Sequence, residues 1–268
     1  MHMHMPMPMP MPMPMPTLLD ASQPMHDTDL LRQLRGRMLS DQLEVLCVIG
    51  AHRFDELPLI NKIFPALRHI YLFEPLPGPL AALNALALRD ARLRVFPVAV
   101  SDSEGTASFF VTSNEGESSS LLAFGSRTDL FPEVKVERTV EAPTRRLESV
   151  LAEHGLETPD LLLIDVQGAE YQMLRSLSSG LLDKVRLIYT EVSTERVYET
   201  AGLLPDIEKV LAPRFVNLGY APLRAGVPMH GNAVFAGSED VPAALACTLI
   251  GRPRSACRGW RQRGRQAR

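Results

Sequence analysis

Cysteine is scarce in this 268-residue chain. The three present, Cys47, Cys247 and Cys257, form no Cys-x-x-Cys, and such a count fits a reducing compartment. A core of this size needs no disulfide or structural metal to bury its apolar surface. Long apolar runs are missing too. AALACTLI, from Ala243 to Ile250, is far too short to span a bilayer. No basic stretch followed by an apolar one opens the chain, so no secretory signal is expected, and the protein reads as soluble and cytoplasmic. No Gly-x-Gly-x-x-Gly follows the first apolar strand, which counts against a nicotinamide dehydrogenase. Net charge is small, −3, but unevenly spread. Seven arginines and no acid follow from Val241 onward; removing them from 28 basic residues leaves 21 against 31 acidic ones, a net of −10. An acidic body repels phosphates, so nucleic acid is not an expected partner.

Both ends differ from the middle. The opening MHMHMPMPMPMPMPMP alternates proline, which removes backbone donors and blocks helix. His2 and His4 in such a coil make a poor metal site, so residues 1–27 are read as a disordered segment. The tail GRPRSACRGWRQRGRQAR lacks periodicity, and residues 241–268 are read as a basic, disordered end carrying Trp260. Residues 28–240 are expected to form one domain.

That domain alternates strand and helix. A helix is expected from Thr28 to Leu39, with Leu30, Leu31, Leu34 and Met38 on one face. LEVLCVIGA, HIYLFEP, RVFPVAVSDSEG, TASFFV, LLLID and VRLIYTEVS read as strands. PLAALNALALRD, AEYQMLRSL and DIEKVLAPR read as helices. TRRLESVLAEHG reads as a helix with Thr144 as N-cap and Gly155 past its end. FVNLGYAPLRAG and GNAVFAG suit a C-terminal antiparallel hairpin. The stretch from Thr112 to Val140 is polar and carries no clear pattern. Alternation of this kind implies right-handed crossovers and a doubly wound, mainly parallel sheet of the α/β class.

Ligands of such sheets bind at the carboxyl ends of the strands, near the switch in strand order. The strand ends here are polar. Gly50-Ala51-His52 ends the first, where a glycine lets a ligand approach the backbone. Glu74 ends the second, 24 positions after Gly50, and a carboxylate there suits two ribose hydroxyls. Ser101-Asp102 ends the third, although SDSEG also fits a plain β-turn. Asp165 ends the fourth, with Gly168 and Glu170 close behind. Asp165 either satisfies the backbone at the strand-to-helix corner or faces a cleft. Together the four ends favour a nucleoside-type ligand.

IDVQGAEYQMLRSL closely resembles the "IDVEGAE" signature of the FkbM-type methyltransferases. YLFEPLPGPLAALN, VAVSDSEGTASFFV, IYTEVSTERVYE and GNAVFAG resemble further segments of that family in the same order, over roughly residues 44–237. The resemblance implies a Rossmann-like class I methyltransferase fold and S-adenosylmethionine as cofactor. It implies a small-molecule or glycan acceptor: a hydroxyl of a sugar, polysaccharide or secondary metabolite. It places Gly50, Ala51, His52, Glu74, Ser101, Asp102 and Asp165 on the cofactor side. One loop departs. The family's Asp-x-Gly-Ala-Asn-x-Gly is VIGAHRF here, with Val48, His52 and Phe54 at the aspartate, asparagine and second glycine.

A hydroxyl acceptor has a proton to lose, so a general base helps. Asp165, Glu170, Glu191 and His230 are the candidates, Asp165 foremost for its place at the centre of the rim, as base, cofactor orienter or ligand for a divalent ion. No clustered carboxylates appear along the sequence, and no metal is expected. The altered loop motivates a second reading, a non-catalytic binding or regulatory protein that keeps the fold.

Overall fold

A computed structural model of the protein describes residues 41–123, 132–223 and 229–241. The Thr28 to Leu39 helix, the Met/Pro-rich opening and the basic tail beyond Val241 lie outside the described residues.

Apolar runs become buried strands. β1 (Val45–Ile49), β7 (Leu161–Ile164) and β8 (Leu187–Ser193) are buried at every position, and β2 (His69–Phe73) at all but its first. Successive side chains point to opposite faces. Leu46 and Val48 pack against α1 (Leu57–Ile63) and Leu83 of α2 (Pro77–Ala87). Cys47 and Ile49 share the other core with α3 (Leu147–Glu153), α4 (Glu170–Ser176), α5 (Ser179–Leu182) and α6 (Leu204–Leu211). Cys47 is fully buried, which pushes its thiol pKa up and makes it a small core hydrophobe. A sheet covered on both faces leaves no polar side, so its strands read as unbroken apolar runs.

β3 (Leu93–Phe96), β9 (Phe215–Pro222) and β10 (His230–Gly237) complete a seven-stranded sheet in the order β3-β2-β1-β7-β8-β10-β9. β3, β2, β1, β7 and β8 are parallel. β10 runs antiparallel to β8 and to β9, the expected terminal hairpin. The chain moves outward from β1 through β2 to β3, then returns to place β7 on the other side of β1. Loops leaving β1 and β7 therefore diverge, and a crevice opens between them.

Two sequence expectations fail at a second sheet. RVFPVAVSDSEG is not one strand. Pro97 has no N–H to donate, and the chain leaves the main sheet after Phe96. β4 (Ala99–Val100) then pairs with β6 (Val136–Arg145), which also pairs with β5 (Gly105–Thr112). Thr144 is not an N-cap. It lies in β6 opposite Ala99 and Gly105, and α3 starts later, after Arg146, with no side-chain cap bond. Among the described residues no helix is long and apolar enough to cross a membrane.

Candidate active site

The loop after β1 turns sharply at Gly50, where φ is +81°. A Cβ at Gly50 would lie 1.8 Å from the carbonyl oxygen of Asp165 at the tip of β7. The sequence suggested that glycine opens the backbone to a ligand. The structure adds a stricter demand, the close approach of two strand ends. The N–H groups of Gly50 and Ala51 both donate to the Phe73 carbonyl at the end of β2, at 3.1 and 3.0 Å. His52 and Phe54 follow with φ of +43° and +54°. This left-handed backbone is the conformation a glycine takes without strain, and here two residues with side chains adopt it. The Phe54 side chain is 2% exposed and packs with the first core, while also lining the cleft. Val48, at the family's aspartate position, is likewise a core residue.

Glu74 sits beside this loop, 5% exposed. Its Oε2 accepts the His52 N–H at 3.0 Å, and its Oε1 accepts the Leu76 N–H at 2.8 Å. Burial raises its pKa against the pull of those two bonds. Each carboxylate oxygen keeps a second lone pair for a ligand donor.

Asp165 is exposed at the end of β7 and lines the same cleft. Its backbone N–H closes the β1–β7 ladder on the Ile49 carbonyl at 2.9 Å. Its Oδ1 accepts the Gln167 amide at 2.6 Å. The same amide nitrogen donates to Glu191 Oε2 at 3.0 Å, and Gln167 Oε1 accepts the Tyr198 hydroxyl at 2.5 Å. His230 faces Glu191 across the β8–β10 pair, with Nε2 3.1 Å from Glu191 Oε1 and Nδ1 2.8 Å from Ser193 Oγ. Glu191, Tyr198 and His230 also line the cleft.

Glu170 behaves differently. It is 4% exposed, does not line the cleft, and its Oε1 accepts the Val166 and Gly168 N–H groups at 3.0 and 3.2 Å. It braces the β7–α4 loop, its carboxyl turned to those two backbone groups. Burial first, then repulsion from Glu191, raises its carboxyl from 4.5 to about 7. A raised acid stabilises the folded state while protonated. That contribution is full below pH 4.5 and is lost as pH rises through about 7. Glu170→Gln keeps an acceptor and removes the titration. Melting curves should show stability falling from pH 5 to pH 8 in the native chain, and falling less in the variant. Equal pH dependence in both would refute this role.

Ser101 and Asp102 are not among the residues lining the cleft. The Ser101 N–H donates to Arg145 O, and Asp102 Oδ2 lies 3.7 Å from Arg175. They form the turn between β4 and β5, the alternative SDSEG had left open. Asp165, Glu170 and Glu191 present oxygens within 4.8 Å of one another, a cluster that the sequence did not reveal. At least one oxygen of each is already engaged by a protein donor.

The cleft encloses about 410 Å3 and runs from the Gly50 loop and Glu74 to Asp165 and Glu191. That lies within the range of roughly 300–1,000 Å3 usual for small-molecule sites. Asn114, Ser118 and Ser119, which follow β5, also line the cleft as a further wall. Glu115 ties this wall to the β1 loop, through an ion pair with Arg53 and a carbonyl 3.2 Å from the His52 ring. Gln167 and Tyr198 escaped the sequence reading. Gln167 carried one signal, standing where the family signature has glutamate.

The strand order, with its parallel core and antiparallel end, is that of the Rossmann-like class I methyltransferases. The methyltransferase FkbM domain matches residues 49–221, and the chain belongs to that family, whose methyl donor is S-adenosylmethionine. Residues of this chain are 33% identical over 142 positions to the 2-O-methyltransferase NoeI of Sinorhizobium fredii, covering 51% of this chain and 57% of NoeI. A 58-residue stretch is 52% identical to the AMB antimetabolite synthetase AmbE of Pseudomonas aeruginosa, covering 22% of this chain and 3% of that protein. The chain thus spans little more than half of the first relative and a small part of the second. The solved structure of methyltransferase FkbM from Methylobacillus flagellatus is 12% identical, with a TM-score of 0.48 over 72% of this chain and 43% of that one.

Proposed function

We propose that this protein transfers a methyl group from S-adenosylmethionine to a hydroxyl oxygen of a sugar, polysaccharide or secondary metabolite. The observation that carries the reading is the pair of carboxylates, Glu74 and Asp165, on opposite sides of one cleft at the β1–β7 switch point. The likeness to a relative named as a 2-O-methyltransferase supports oxygen as the accepting atom.

The donor set suits the cofactor. Glu74 keeps lone pairs for the two ribose hydroxyls, and the Gly50-Ala51-His52 backbone forms the wall beside it. The carboxylates of the cleft favour a cationic ligand. S-adenosylmethionine supplies an activated methyl group on a sulfonium. The protein's task is to orient the acceptor and take its proton. Orientation of this kind contributes roughly 7–11 kcal/mol. Asp165, exposed at the tip of β7, is the base that receives the hydroxyl proton. His230 bonds Glu191 and holds that carboxylate in place beside Gln167. The Asn114 to Ser119 wall offers polar groups of the kind that bind acceptor hydroxyls.

A second reading, a binding or regulatory protein that has lost cofactor affinity, has one observation in its favour. His52 and Arg53, in the departing loop, are tied to Glu115 rather than left facing a ligand. Calorimetric titration with S-adenosylmethionine separates the two. Micromolar to submillimolar binding with a rise in melting temperature is expected. No heat and no thermal shift at millimolar cofactor would leave the binding-protein reading in its place.

A further inference from the structure

We infer that Gln167 is a positioning residue, whose amide ties Asp165 to Glu191 and holds the two carboxyl groups correctly spaced at the cleft, with Asp165 ready to accept a proton. The inference rests on the reading of Asp165 as the base.

Geometry fixes which way the amide points. Gln167 Nε2 lies 2.6 Å from Asp165 Oδ1 and 3.0 Å from Glu191 Oε2. Ionised carboxylates only accept, so the NH2 group must face them. A flipped amide would set its carbonyl oxygen against two negative oxygens. Tyr198, 3% exposed, completes the arrangement by donating its hydroxyl to Gln167 Oε1. The side chain thereby uses both amide hydrogens and its oxygen, and it is 9% exposed. Ser120 Oγ donates to the Gln167 carbonyl at 2.7 Å, which pins the backbone at a φ of +53°.

Two carboxyl groups near Asp165 make such a clamp useful. Glu170 on α4 and Glu191 on β8 bring two further carboxyl groups into the same cluster. His230 on β10 pairs with Glu191. Tyr198, in the segment after β8, is buried as a neutral phenol. Donation from a neutral amide favours the charged form of Asp165 beside a second carboxyl group, because a hydrogen bond to the charged form stabilises it. A glutamate at this position would put a third carboxylate between those two and reverse the effect.

Carboxyl-carbon NMR tests this without knowledge of the acceptor. The Asp165 resonance is assigned by its loss in Asp165→Asn and followed through a pH titration. Gln167→Glu should raise its midpoint by about one pH unit or more, through like-charge repulsion. Gln167→Met, which removes the donors without adding charge, should raise it by a smaller amount and serves if the first variant does not fold. S-adenosylmethionine affinity, measured by calorimetry, should stay within a few-fold of the native value in either variant, because the proposed cofactor wall is the Glu74 carboxylate and the Gly50-Ala51-His52 backbone rather than the Gln167 side chain. An unmoved Asp165 midpoint in both variants would overturn the inference. So would a loss of cofactor affinity with the midpoint unchanged. Absence of cofactor binding to the native chain would instead defeat the proposed function and leave the amide clamp standing.

Discussion

Asp165→Asn is expected to lower the turnover number for methyl transfer roughly 10²–10⁴-fold, the usual contribution of a positioned general base. The substitution keeps the shape of the side chain. It also keeps an oxygen to accept the Gln167 amide, so the β7 tip should hold its place. The Asp165 N–H bond to Ile49 is a main-chain bond and is untouched. What disappears is the ability to take a proton. Cofactor affinity should change by less than about threefold, because Glu74 and the Gly50 loop are the proposed cofactor wall. Labelled methyl transfer to a panel of sugar hydroxyls, with calorimetry on the same samples, reads both quantities. A variant that turns over at half the native rate would remove Asp165 from the chemistry. Weakened cofactor binding with turnover intact would make it a cofactor contact instead.

Gly50→Ala should damage the fold itself. The added methyl would stand 1.8 Å from the Asp165 carbonyl oxygen and 2.8 Å from its carbon. Both are backbone atoms at the end of a buried strand, so no side chain can swing aside. Relief requires β1 and β7 to part at their tips, where Asp165 N–H bonds Ile49 O. Overpacking of this kind costs about 1–3 kcal/mol, and a positive φ adds roughly 1 kcal/mol for a residue with a Cβ. For a domain of this size each kcal/mol lowers the melting temperature by about 2–4 °C, so a drop on the order of 10 °C is expected. Scanning calorimetry measures it. A melting temperature within about 2 °C of the native value would show that the two strand ends are looser than the structure has them. The same displacement would widen the cleft where cofactor and base meet, so cofactor affinity should fall with stability. Gly155, also at positive φ but with open space around it, makes a control for the clash alone.

The main sheet was legible because its strands are covered on both faces. LLLI and LIYTEVS have no polar side to confuse them with an amphipathic surface strand. The second sheet was not. In β6 only Ala142 and Thr144 are buried, and the remaining positions are polar or partly exposed, so no alternation marks the strand. Thr144 had the chemistry of a helix cap and was claimed instead by pairing with Ala99 and Gly105. Pro97 divided an apolar run whose halves belong to different sheets.

The candidate site divides in the same manner. Gly50, Glu74 and Asp165 were visible because each ends an apolar run, and the architecture sends such ends to one rim. Ser101-Asp102 met the same local test and stands outside the cleft, because β4 pairs with β6 rather than with the parallel sheet. His230 and Glu191 are adjacent only because β10 lies antiparallel beside β8, with Ser193 opposite His230 and Glu191 opposite Asn232. Gln167 meets Tyr198 across a separation of 31 residues. Alternating strands and helices follow from local hydrophobic period and turn chemistry, which neighbouring residues carry between them. Which carboxylate is exposed to the cleft, which is buried as a brace, and which amide stands between two others depend on contacts between distant segments. Those contacts exist only once the sheet has brought the segments together, and that is why Asp165 and Glu170, five positions apart in one signature, have opposite surroundings.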